Sequence, residues 1–159
     1  HQTTDAPDSQ IATFQFESFT ATWEHRQFGG SGTGKSSVGC HFCGTKGTFH
    51  MGWRDGWTFY PANSKQQVVH GKAQHKEPDG HSIDLLWKDF AQAIEHKKRP
   101  ACDIEIGHLS TNLSLLGMLS YKLGRGIEWD GKTERCVGDD EANRLLKRPY
   151  RGAWEYPEA

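Results

Sequence analysis

Long apolar runs are missing from this chain, and so are runs of one charge. No apolar stretch exceeds a few positions, far short of the ~20 residues that a membrane-spanning helix needs. The longest basic cluster is the "HKKR" of His96–Arg99, and 19 Lys and Arg stand against 20 Asp and Glu. With a pI of about 6.8, the chain carries no electrostatic footprint for nucleic acid or an anionic membrane surface. Cysteine is sparse: Cys40, Cys43, Cys102 and Cys136 are too few and too scattered for a disulfide scaffold, so free thiols are expected. The opening "HQTTDAPDSQ" lacks the apolar segment of a secretory leader. The expected location is the cytoplasm, with export of a parent protein left open. The opening also lacks an initiator Met, and the expectation is a fragment of a longer protein.

Glycine and tryptophan, by contrast, are plentiful, 18 and 6 of them in 159 residues, which suits tight turns and a large aromatic surface. The length suits one domain, residues 1–159. The first third alternates with a period of two. In "IATFQFE" (Ile11–Glu17), Ala12, Phe14 and Phe16 share a face; "FTATWEHR" (Phe19–Arg26) repeats the pattern. Next come "SVGCHFCG" (Ser37–Gly44), "TFHMGWR" (Thr48–Arg54) and "WTFYP" (Trp57–Pro61), with Asp55-Gly56 as a hairpin signal. Five strands in one antiparallel meander are expected, with a short β-like "QVVH" (Gln67–His70) beyond them.

The period then changes. Ile83, Leu86, Trp87, Phe90, Ala93 and Ile94 recur at three and four, predicting a helix capped by Ser82 and stopped by Pro100. Asp103 is the expected cap of a second helix, with Leu109, Leu113 and Leu116 on its stripe and Gly124 at its left-handed end. A short strand "GIEWD" (Gly126–Asp130) and a short helix "DDEANRLL" (Asp139–Leu146) complete the pattern. Strands first and helices afterwards argue for α+β, an open antiparallel or mixed sheet with helices on one face.

Two motifs invite chemistry. Gly29–Ser36, "GGSGTGKS", satisfies the pattern of a phosphate-cradling loop. Such a loop works by leading into a helix N-terminus, whereas "SVGCHFCGTKG" comes directly after Lys35-Ser36 and predicts a strand and a turn. A hairpin connection is the better reading. Cys40 and Cys43 form C-x-x-C-G, half of a zinc knuckle, but Cys102 and Cys136 stand alone and supply no second pair. Metal binding by Cys40 and Cys43, with His41 or His50 as further ligands, is therefore the weaker alternative to two ordinary thiols. Among nine histidines, His108 stands out, because it lies early in the second helix beside Gly107. A helix-interior glycine is costly and can mark close approach of a neighbour.

Three passages together are more specific. "GTKGTFHMGWRDGWTFYP", the stretch from "HSIDLLWKDF" through "IEIGHLST" to "GIEWD", and "GDDEANRLLKRPYRGAWEYP" resemble the C-terminal part of glucose–fructose oxidoreductase / inositol dehydrogenase (Gfo/Idh/MocA) family enzymes. The resemblance implies a parent with an N-terminal dinucleotide-binding Rossmann domain, absent here. It also implies an open-sheet C-terminal domain of the dihydrodipicolinate-reductase type that lines the substrate side and packs against another subunit. Such enzymes move hydride between NAD or NADP and a sugar or cyclitol. The family's G-x-G-x-x-G, E-K-P and D-x-x-x-H elements are missing: "KEP" at Lys76–Pro78 runs in the wrong order, and no Asp has His four residues on. No catalytic or cofactor-binding residue carries over, and the fragment is expected to bind no cofactor and to be inactive alone. His108 remains a substrate-side candidate. The expected partners are a second copy through the sheet face, the Rossmann domain and a sugar-like molecule. The competing expectation is a stand-alone carbohydrate- or protein-binding sheet module without chemistry.

Overall fold

The computed structural model describes residues 6–27, 37–75, 77–148 and 150–155. The expected phosphate-loop segment, Gly29–Ser36, lies outside the described residues. The element next after it in the chain is a strand and not a helix. The protein is α+β, with three sheets and three helices among the described residues. It divides into two compact units, His1–Glu24 with Ile104–Ala159, and His25–Asp103.

In the first of these, strand β1 (Ser9–Gln15) pairs with β2 (Thr20–Arg26), whose last residues fall in the second unit. The turn between them is closed by the Phe16 amide donating to the Phe19 carbonyl at 2.9 Å, with the two rings stacked at 4.4 Å. Helix α1 (Pro78–Glu95) belongs to the second unit, whereas α2 (Ile104–Leu123) packs on β1. The expected inward face of β1 is the one that meets it. A Cβ on the buried Gly117 would lie 3.3 Å from the Ala12 methyl and 3.5 Å from the Phe14 ring. The Gln10 side-chain amide donates to the Gly117 carbonyl at 2.9 Å. Glycine at this point lets backbone and strand approach closely.

The α2 helix ends as expected at Gly124, φ +65°, where the Arg125 amide donates back to the Ser120 carbonyl in a Schellman turn. Beyond it, β7 (Trp129–Asp130) and β8 (Arg135–Cys136) form a small hairpin that leads into α3 (Asp140–Leu145). Strand β8 is an addition to the expected pattern. Asp139 caps α3, its carboxylate accepting from the Ala142 amide at 2.9 Å. The same carboxylate pairs with both terminal nitrogens of Arg125, which also reaches Glu141 at 3.0 Å. The side chain of Asn143 accepts from the Cys136 amide at 2.9 Å and donates to the Cys136 carbonyl at 2.8 Å. Cys136 and Ala142, 2% and 0% exposed, are the small core of this corner.

The second unit holds an antiparallel meander in the order β3 (Gly39–Gly44), β4 (Gly47–Gly52), β5 (Trp57–Pro61), β6 (Val69–Gly71). The single five-strand meander expected from the sequence is therefore two sheets: among the described residues β1 and β2 pair only with each other, and "QVVH" supplies a fourth strand to the second. The Asp55-Gly56 turn is confirmed, Gly56 having φ +76°. Helix α1 begins before Ser82, with Glu77 at the cap position and Pro78 at the first turn, where a missing N–H costs nothing. It also stops short of Pro100. Lys97 takes φ +52°, and the Lys98 amide donates to the Ala93 carbonyl at 2.9 Å, a second Schellman turn made without glycine.

Candidate functional site

Strand pairing sorts the β3–β6 side chains into two unlike faces, because neighbours in register share a face and successive residues alternate. Phe42, Phe49, Phe59 and Val69 form one row across all four strands, beside Met51 and Trp57. Phe49 lies 5.5 Å from the Trp57 ring, and Trp57 sits against Gly71, where any Cβ would overlap its indole. This aromatic face stays open to solvent: Phe42 is 59% and Met51 47% exposed. A shallow depression at its edge is lined by Phe42, Thr45, Lys46, Phe49 and Phe59.

The opposite face carries His41, His50, Thr58 and His70 in one row. His41 and His50 stack at 4.3 Å, and the Thr58 hydroxyl lies 2.9 Å from His70 Nδ1. His50 is 8% exposed, and its Nε2 has no hydrogen-bond partner. Near-parallel stacked rings, inclined by 18°, do not converge their lone pairs on one ion. Cys43 lies on this histidine face and Cys40 on the aromatic one, so the two exposed thiols point to opposite sides of β3. No group of three or more His, Cys, Asp or Glu among the described residues could hold a metal ion.

His108 sits in the second turn of α2, and its Nε2 lies 2.6 Å from Glu134 Oε1 and 3.1 Å from Asn112. Asn112 stands at i+4 on the same helix face, a relation readable in the sequence. Glu134 is not, because it arrives from the turn between β7 and β8. Asp130 builds that turn: its carboxylate accepts from the Lys132 amide at 2.8 Å and the Thr133 hydroxyl at 2.7 Å. Those bonds hold its carboxyl below the usual range, the Thr133 hydroxyl contributing most. Glu134 then adopts φ +51°, in the left-handed region. Both His108 and Glu134 are about half exposed. Nothing lies within 4 Å of a Cβ built at Gly107, so the close approach of a neighbour that a glycine there suggested is not seen among the described residues.

No curated protein and no solved structure matches the chain. A family model does, over residues 64–156, described as "Oxidoreductase family, C-terminal alpha/beta domain". The matched segment contains β6, all three helices and the His108, Asn112 and Glu134 cluster, and leaves β1 to β5 outside. With more than half of the chain matched, and with an α+β architecture in agreement, this protein belongs to the Gfo/Idh/MocA oxidoreductase family, of which it carries the C-terminal domain.

Proposed function

We propose that this chain is the substrate-binding and oligomerisation domain of an NAD(P)-dependent sugar or cyclitol oxidoreductase, whose cofactor is held by a separate N-terminal Rossmann domain. The observation that carries this reading is the family match, which covers α1, α2 and α3 and every residue of the His108 cluster. It favours this reading over a stand-alone binding module. The open sheet of the dihydrodipicolinate-reductase type is part of the proposal, as are a cytoplasmic location and the action of residues 1–159 as one functional domain. Among the described residues, no helix is long and apolar enough to cross a membrane.

In this reading His108 faces the substrate. Its imidazole combines a hydrogen-bonding atom with a half-exposed ring, which suits a hydroxyl-rich small molecule. The aromatic face of β3–β6 is the subunit contact, since exposed contiguous apolar surface marks association sites. A symmetric dimer would set Phe42, Met51 and Trp57 against their counterparts. The chain alone binds no nicotinamide cofactor and turns nothing over.

Two measurements test the reading. Saturation-transfer NMR against a panel of sugars and cyclitols should find at least one binder, weakened about tenfold or more in His108→Ala. Sedimentation equilibrium should give a dimer at micromolar concentration and a monomer for Phe42→Asp. A monomeric wild type that binds no member of the panel would sink the proposal.

A further inference from the structure

We infer that Glu134 is a positioning residue for His108, fixing the ring so that Nδ1 is presented as an acceptor to a substrate hydroxyl. The inference rests on the substrate-side reading of His108 and adds the atom that does the binding and the group that aims it. A carboxylate only accepts hydrogen bonds, so at 2.6 Å from Glu134 Oε1 the Nε2 atom must carry the proton. A neutral imidazole that is protonated at Nε2 has its lone pair at Nδ1. The Asn112 amide, whose Nδ2 is placed 3.1 Å from the same Nε2, is then assigned with its carbonyl oxygen toward the ring, since an amide N–H cannot donate to a nitrogen that is already donating. The orientation of such an amide is set by its partners. Two acceptors on one nitrogen leave the other as the ring's only open position.

The backbone argues the same way. Glu134 holds a left-handed conformation that is unfavourable for a non-glycine residue. Glycine would avoid that cost but could not reach His108. The Asp130 turn fixes the residues just before it, so the carboxylate is delivered from a built loop. The His108 side chain is about half exposed, which leaves room for an approaching hydroxyl. Such a dyad recognises any small molecule with a free alcohol: the alcohol O–H donates to Nδ1, and no bond is broken.

The test uses the chain labelled with 15N-histidine, at alkaline pH. Long-range 1H–15N spectra should show His108 in one tautomer, with Nε2 protonated and Nδ1 bare. Glu134→Ala, which removes the acceptor, should move both nitrogens toward exchange-averaged positions. Added myo-inositol should then shift the Nδ1 resonance in wild type and by less than about a fifth as much in Glu134→Ala. An averaged tautomer in wild type would overturn the positioning role. A fixed tautomer whose Nδ1 resonance ignores myo-inositol, glucose and other polyols would instead overturn the substrate-side role of His108 while leaving the dyad intact.

Discussion

Asp139 ties the turn after α2 to the start of α3 through one carboxylate. The Arg125 guanidinium, bonded to both of its oxygens, is the largest influence holding its pKa down, to about 2, with the Ala142 amide next. Because the folded value lies below the ordinary one, about 3.9, the stabilisation is fully present above pH 4. It is lost as pH falls from about 4 toward 2. Circular dichroism monitored through acid should show that loss, and Asp139→Asn should flatten the part due to this group while still capping α3. A second residue-scale prediction concerns Asn143. Its side chain satisfies both backbone groups of the buried Cys136, so Asn143→Ala should cost about 2 kcal/mol in chemical denaturation. Burial also pushes the Cys136 thiol upward, which keeps it protonated and unreactive. Ellman's reagent should titrate Cys40, Cys43 and Cys102 in the native protein and Cys136 only on unfolding. At this scale the sequence pointed to His108 through its helix position. Glu134 left no such sign, being 26 residues away and brought near only by a turn.

Two helices end in the same motif by different means. At α2 the left-handed residue is Gly124, the usual signal of a helix end; at α1 it is Lys97, which no rule of composition would choose. That is why the end of α2 was legible and α1 was expected to run on to Pro100. Lys97→Gly should stabilise the protein by about 0.5 kcal/mol, the left-handed strain relieved being larger than the entropy lost. Gly124→Ala should destabilise it by about 1 kcal/mol; thermal melts of both variants check the pair. Gly117 is the other telling position. Facing Ala12 and Phe14 at 3.3 and 3.5 Å, it has room for little more than hydrogen, and Gly117→Leu should cost about 2 kcal/mol through overpacking. The alternation of β1 predicted its inward face. The partition of the strands into two sheets was not readable, because alternation records which residues share a face and not which strand is the neighbour.

For the molecule as a whole, the apolar pattern was easier to find than its destination. The stripe Ile83, Leu86, Trp87, Phe90 and Ile94 has helical spacing, yet every member is exposed, Trp87 at 66%. The row beginning at Phe42 is open at its ends, Phe42 and Val69 being exposed. Under the proposed function, these uncovered apolar faces are where partners would associate. Family membership was legible from "IEIGHLST" and "GDDEANRLLKRPYRGAWEYP" because the matched segment, residues 64–156, contains the first and all but the last residue of the second. The most direct test of the proposed division of labour is a fluorescence titration of the chain with NADH. Tryptophan emission overlaps nicotinamide absorption, so a bound cofactor quenches it. We predict only the linear loss from absorption, with no saturable component up to millimolar NADH, whereas saturable, one-to-one quenching would contradict the assignment of the cofactor to another domain.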